Sequence, residues 1–206
     1  MNLEVFSVDQ GSPEWLQCRL GIPTASKFAT VMAKGRGGAE SKTRRKYMLQ
    51  LIGERLTGQP MESFSNDHMA RGKAMQAEAR DLYAMVRGVE PQQVGFMRRD
   101  NAGASPDSLV GADGLLEVKT KLPDIQIETL LANRLPPEHV PQVQGQLWIS
   151  GRQWCDFVSY WPGLPLFATR VPRDEIYIAT IKAEVDEFLA EMAAVTKQIE
   201  TYRIAA

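Results

Sequence analysis

Residues 105–121, SPDSLVGADGLLEVKTK, constrain this 206-residue chain more than any other stretch. Two apolar runs flank an Asp-Gly pair, Asp113-Gly114, a layout that predicts a β-hairpin turning at that pair. Each run carries a carboxylate, and Asp107 and Glu117 stand ten residues apart. Side chains alternate along a strand, so Glu117 and Lys119 share one face of the sheet and Leu116 and Val118 the other. A cation is thereby held beside an anion.

Two carboxylates can hold Mg2+, which takes oxygen ligands, and water attacking a phosphodiester must be activated while the phosphate charge is stabilised. The Lys119 ammonium could orient that water, deprotonate it, or stabilise the developing charge. The same residues also read as a turn aspartate and a solvated Glu-Lys pair on an edge strand. Taken alone, the stretch leaves both readings open.

Composition narrows the classes. With 44% hydrophobic and 24% charged residues, the chain is expected to form one globular domain over residues 1–206. A net charge of −1 argues against a protein that binds nucleic acid with its whole surface, but not against a local groove. The start has no basic region of a signal peptide and no apolar run is long enough for a membrane span, so a cytosolic location is expected. Cys18 and Cys155 make neither a disulfide framework nor a zinc or iron-sulfur set.

In chain order, Ser12-Pro13-Glu14-Trp15 predicts a short helix ended by Gly21. Thr24 or Ser26 then opens a second helix through Met32 and Ala33, and a helix N-terminus offers N–H groups to an anion, with Arg19 just upstream to add a charge-assisted contact. Residues 34–46, KGRGGAESKTRRK, read as a mobile loop running into a helix, and Lys34, Arg36, Lys42, Arg44, Arg45 and Lys46 could grip backbone phosphates. That helix carries Tyr47, Leu49, Leu51, Ile52 and Leu56 and stops at Gly58. A long helix from 66 or 67 to Val86 has an apolar stripe of Met69, Leu82, Tyr83 and Val86, and either Gln76 or Glu78 could turn toward the hairpin carboxylates. His68 has no partner at ligand spacing. Val94, Phe96 and Met97 suggest a strand before the hairpin. A helix over 125–131 follows it, and Gln142 and Gln146 lie one turn apart on the next helix, with Gln144 elsewhere. Residues 154–161 and 166–171 read as strands. Residues 174–202 form one long helix whose apolar face is Ile178, Ile181, Val185, Phe188, Leu189, Met192 and Val195, and which could cap the sheet or mediate self-association.

Several motifs taken together resemble one family: Trp15-x-x-x-Arg19-x-Gly21-x-x-Thr24-Ala25-Ser26, Ala70-Arg71-Gly72-Lys73, Ser105-Pro106-Asp107 with Glu117-Val118-Lys119, and Gln142-Val143-Gln144 with Trp148. In this order the chain resembles the lambda-type phage exonucleases, the YqaJ-like viral recombinases of the PD-(D/E)xK nuclease superfamily, over most of its length. The resemblance implies an α/β (α+β) fold with a restriction-endonuclease-like core: a central mixed sheet flanked by helices, and a long C-terminal helix. It implies a 5′-to-3′ exonuclease acting on double-stranded DNA ends, with Asp107, Glu117 and the Val118 carbonyl holding Mg2+ (or Mn2+). It further implies that Lys119 positions the attacking water, that Gln142 lies against the metal site, and that Arg19 and Ser26 receive the 5′ phosphate. A toroidal homotrimer around the duplex, a single-strand-annealing recombinase as partner, and a phage or prophage origin in a bacterial host cytosol are part of the same expectation.

One departure stands out. Where related sequences carry Gly-x-x-x-Glu, this chain has Gly72-x-x-x-Gln76, which accepts a hydrogen bond but brings no charge. Glu78 is about 200° further around the helix and does not replace it. Two rivals remain: another PD-(D/E)xK enzyme, such as a restriction-like or CRISPR-associated endonuclease, and a DNA-binding relative with weak activity.

Overall fold

The computed structural model describes residues 3–35, 37, 39–61 and 67–202, with backbone alone at 67–71 and 73. Its centre is a four-stranded mixed sheet, β4 (Ser108–Val110), β5 (Gly114–Thr120), β6 (Trp154–Tyr160) and β7 (Phe167–Pro172), in that order. β4 and β5 pair antiparallel as the expected hairpin, with Ser108 opposite Leu116. β5 and β6 run parallel, so the chain must cross over between them, and it does so through helices α5 (Pro123–Ala132) and α6 (Val140–Ser150). β5 is thus an interior strand, not an edge.

The hairpin turns one step earlier than the Asp-Gly pair suggested. Residues 111–113 form the turn, with Gly111 at φ +55°, and Gly114 is already the first residue of β5. The Trp154 ring fills the space that a Cβ on Gly114 would take, so this glycine serves a close approach and not the turn.

A second, antiparallel sheet, β1 (Leu3–Phe6), β2 (Phe96–Arg99) and β3 (Ala102–Ala104), lies beside the first. Single bridges add the flanking segments: Gln92, upstream of β2, pairs with Leu109 of β4, and Thr24 pairs with Gly103 of β3. The sequence suggested a strand near β2 only. β1 and β3 are too short for their alternation to be distinctive, and β1 is exposed along most of its length.

Helices cover both faces of the central sheet. On one side, Ala79 and Tyr83 of α4 (Asp67–Arg87) pack on Leu116 and Val118. On the other, Val143 and Leu147 of α6 pack on Leu115 and Phe157. Eight of the eleven α6 residues are buried, because this helix also touches the second sheet and the C-terminal helix α7 (Glu175–Glu200). The expected α7 face is the buried one: Ile181, Val185, Phe188 and Met192 are wholly enclosed, and Phe188 stacks on Tyr47 of α3 (Lys42–Thr57) at 5.9 Å. The helix builds the core and does not merely cap the sheet. In α3 the buried set is Tyr47, Met48, Leu51 and Ile52, while Leu49 and Leu56 are exposed; in α4 Val86 is exposed.

The segment after Gly21 departs most from its expected form. A short helix α1 (Pro13–Cys18), capped by the Ser12 hydroxyl on the Trp15 N–H, starts as predicted but ends at Cys18, before Gly21 is reached. The helix expected to open at Thr24 or Ser26 is instead a single 3-10 turn, Ala25–Lys27, leading into a four-residue α2 (Phe28–Val31). Phe28 packs into α6 where Gly145 leaves room for its ring. That contact fixes the turn bearing Thr24 and Ser26 against the helix bearing Gln142.

Candidate active site

Hairpin geometry brings the two carboxylates together. Asp107 immediately precedes β4, and its backbone N–H donates to the Leu116 carbonyl at 3.1 Å. Its side chain reaches across to the next position of β5, where Oδ2 accepts from the Val118 N–H at 2.6 Å, while Oδ1 accepts from the Gln76 amide. Glu117, 2% exposed, points to the α6 face. Its Oε1 meets the Lys119 ammonium at 2.6 Å and the Gln142 amide at 2.6 Å, and its Oε2 accepts from the Gln146 amide at 2.5 Å. Glu117 and Lys119 share a face as their spacing required.

Burial dominates the electrostatics. It raises the pKa of Asp107 well above the ordinary value, with Glu117 adding to the effect; the Val118 N–H, Lys119 and Gln76 pull the other way. Burial alone would lower Lys119, but Glu117 and then Asp107 more than offset it, and the ammonium is held charged.

The donors suit a hard divalent cation. N–H and C=O of one strand residue leave on the same side, so the Val118 carbonyl points along the side that bonds Asp107, on an edge that β4, starting at Ser108, does not cover. Among the described residues no three of His, Cys, Asp or Glu converge. A cation here would rest on Asp107, Glu117 and the Val118 carbonyl with the remaining positions taken by water, the habit of Mg2+.

A cavity of about 190 Å3 joins this cluster to Arg19, Thr24 and Ser26. The Arg19 guanidinium lies over the Trp15 ring, 4.0 Å from its centroid, and donates to the Thr24 hydroxyl at 3.3 Å, which stands 3.3 Å from the Ser26 hydroxyl. Trp15 donates through its indole N–H to the Ser105 hydroxyl at 2.9 Å, and the Gln10 amide donates to the carbonyls of Val94 and Pro106. Residues over eighty positions apart in sequence thus share one concave lining. With only a 3-10 turn behind Thr24 and Ser26, the anion-binding capacity lies in the guanidinium and the two hydroxyls, not in a helix dipole.

Other expected contacts fall elsewhere. Arg44, 7% exposed, makes a bidentate pair with Glu191 of α7 at 2.6 and 2.9 Å and donates to the Val31 carbonyl, so its guanidinium is committed to the core and leaves the phosphate-gripping set. Arg45 pairs with Glu40 on the exposed side of α3, outside the cavity, and Lys34 pairs with Glu184. Glu78 accepts from Tyr160 at 2.6 Å and does not turn to the carboxylates; Gln76 does. Arg36 and the side chains of His68, Met69, Arg71 and Lys73 lie outside the described residues. Gln10 lines the cavity although its sequence surroundings gave no sign of it, whereas Ser105 stood in the Ser105-Pro106-Asp107 motif. Gln146 was visible as the residue one turn after Gln142.

A mixed sheet offering two carboxylates and a lysine at one end of its central hairpin, with helices on both faces, defines a protein of the restriction-endonuclease-like α/β class. More particularly, residues 14–153 match the YqaJ-like viral recombinase domain, and the chain belongs to that family. Two solved structures of an alkaline exonuclease from Laribacter hongkongensis, one in complex with dAMP, are each 40% identical. Each covers 92% of this chain and 96% of its own, with TM-scores of 0.83 and 0.84. A phage related exonuclease from Haemophilus somnus 129PT shares the fold at 14% identity, with a TM-score of 0.65 over 86% of this chain and 96% of its own. Among curated proteins no sequence matches. Among the described residues no helix is long and apolar enough to cross a membrane.

Proposed function

We propose that this chain, as a single nuclease domain, is a Mg2+-dependent exonuclease that digests one strand of linear double-stranded DNA from its 5′ end. It releases 5′ mononucleotides and leaves 3′ single strands for strand-annealing recombination. The observation that carries this reading is the convergence of Asp107, Glu117 and Lys119 with Arg19, Thr24 and Ser26 on one cavity. A phosphodiester at the carboxylates can extend its terminal nucleotide toward a cationic, hydroxyl-lined end suited to a phosphate. The 40%-identical alkaline exonuclease has been seen with dAMP, a nucleoside monophosphate of the class proposed as product.

Asp107, Glu117 and the Val118 carbonyl would hold the cation. Bound there, Mg2+ (or Mn2+) would offset the charge of the scissile phosphate and acidify the attacking water. Lys119, whose ammonium meets Glu117 Oε1 at 2.6 Å beside the proposed cation, orients the water and steadies charge on the phosphate. Gln142 and Gln146 hold Glu117 in place, and Gln76 and the Val118 N–H hold Asp107. Arg19, Thr24 and Ser26 receive the 5′ phosphate and so set the register of one nucleotide per cut.

The family resemblance extends the proposal to a ring-shaped homotrimer threaded by the duplex, an annealing recombinase as partner, and a bacterial host cytosol as the working place. A ring fits the net charge of −1, since enclosure retains DNA where bulk charge does not.

The test is linear duplex labelled at its 5′ or 3′ ends, beside supercoiled closed circles, with and without Mg2+. The expected result is Mg2+-dependent release of the 5′ label as mononucleotide with circles left intact, and loss of digestion in Asp107→Ala with DNA binding retained. Nicked circles would assign the chain to the endonucleases instead. Intact DNA under every condition would make it a binding protein.

A further inference from the structure

Gln142 and Gln146 lie one turn apart on α6, and each donates its amide N–H to a different oxygen of Glu117. With Lys119 on Oε1 as well, the carboxylate is gripped from three sides and cannot rotate. The two glutamines differ in one respect. Gln146 is 1% exposed, and its Oε1 is buried with no hydrogen-bond donor among the described residues.

An orphaned buried carbonyl of this kind costs about 1–3 kcal/mol, and Gln146 neighbours the buried apolar residues Val143, Leu147 and Ile149 along α6; a methionine would escape that cost but leave Glu117 Oε2 without its donor. Reversing the amide brings no relief, because its carbonyl would then face the Glu117 carboxylate, acceptor against acceptor. The orientation is therefore fixed by Glu117, and the free oxygen is a property of the site. Gln146 lines the cavity of about 190 Å3 that also holds Asp107 and Lys119. That space admits several water molecules at about 30 Å3 each, and an ordered water needs two or more polar partners. The orphan carbonyl supplies one, and a cation between Asp107 and Glu117 would supply another.

We infer that Gln146 is a positioning residue for the cation: its N–H fixes Glu117, and its buried carbonyl accepts a hydrogen bond from a water of the cation's hydration shell. This rests on the metal-dependent reading above. It gives the second glutamine of the helix a task distinct from that of Gln142, whose amide shares Oε1 with Lys119.

The test is Mn2+ binding to the DNA-free protein, followed by electron paramagnetic resonance, for the wild type, Asp107→Ala and Gln146→Met. Gln146→Met is expected to bind Mn2+ about tenfold more weakly, the usual cost of removing a partner that orients a metal ligand. Its metal-free thermal midpoint is expected to fall modestly, because Glu117 Oε2 loses its donor inside the fold, and Mn2+ binding is therefore compared well below both midpoints. The Mg2+ concentration that gives half the maximal digestion rate should rise by a similar factor, whereas a merely structural fault lowers the maximal rate without moving that concentration. Mn2+ affinity within twofold of the wild type overturns the inference. If Gln146→Met fails to fold, Gln146→Asn, which keeps the amide but draws it back by one methylene, carries the same expectation. A wild type that binds no Mn2+, or an Asp107→Ala variant that binds it unchanged, defeats the metal reading and the inference with it. Binding lost in Asp107→Ala but kept in Gln146→Met defeats the inference alone.

Discussion

Burial first, and the Glu117 charge second, hold the Asp107 carboxyl well above its ordinary pKa. The folded protein thus binds this proton more tightly than the unfolded chain. The associated stability is complete below the unfolded value, about 3.9, and is lost as pH rises through the raised folded value. An asparagine escapes that loss and keeps the geometry, since its carbonyl can accept from the Val118 N–H while Gln76 turns its own carbonyl to the new amide. In metal-free protein at pH 8, Asp107→Asn should therefore melt higher than the wild type, by roughly 1 kcal/mol in stability, and the difference should fade toward pH 4. Calorimetry across that range checks it, and equal midpoints at pH 8 would count against the burial argument. Arg19 tests the opposite end of the cavity. Loss of a charge-assisted contact to a terminal phosphate is worth roughly tenfold, so Arg19→Ala should reduce by about that factor the preference for 5′-phosphorylated over 5′-hydroxyl ends, measured as initial rates on matched duplexes.

Among the elements, α5 is built contrary to its sequence pattern. Its buried positions are Gln126 and Thr129, while Ile125, Ile127 and Leu131 face outward, Leu131 at 81% exposure. Gln126 is what holds the helix down: its amide donates to the carbonyls of Ser159 and Pro165, and its carbonyl accepts from the Ser159 hydroxyl at 2.6 Å. Gln126→Ala would leave these buried groups unpaired and should lower stability by about 3 kcal/mol, read as a lower urea midpoint at unchanged slope. Apolar periodicity located this helix but gave no indication of which face it buries. The same limit explains α2. Phe28 and Val31 looked like part of one regular helix, yet the fit of Phe28 against Gly145 is a tertiary contact that no local pattern records. By contrast α7 was legible throughout, because its apolar stripe is long and its polar face has nothing to bury.

For the molecule as a whole, the motifs of the candidate site were readable because each is local: Pro-Asp, Glu-x-Lys, and two glutamines one turn apart. What sequence could not give was the placement of the remaining groups. Arg44 and Arg45 stand in one basic run, yet one reaches 147 positions along the chain to Glu191 while the other pairs at five with Glu40. Gln10 and Trp15 brace the backbone around Ser105 and Pro106 across more than eighty residues. Only the packing of the second sheet beside the first brings those segments within reach.

The turn at residues 111–113 has a consequence out of proportion to its size. It sets how far β4 stands along β5, and hence that Asp107 arrives beside Val118. One residue inserted there would slide β4 against a strand already pinned by β6, parting the two acids while leaving composition and core almost untouched. Any grip on an ion between those acids would thus be governed by the length of a loop at the far end of the hairpin, remote from the proposed site.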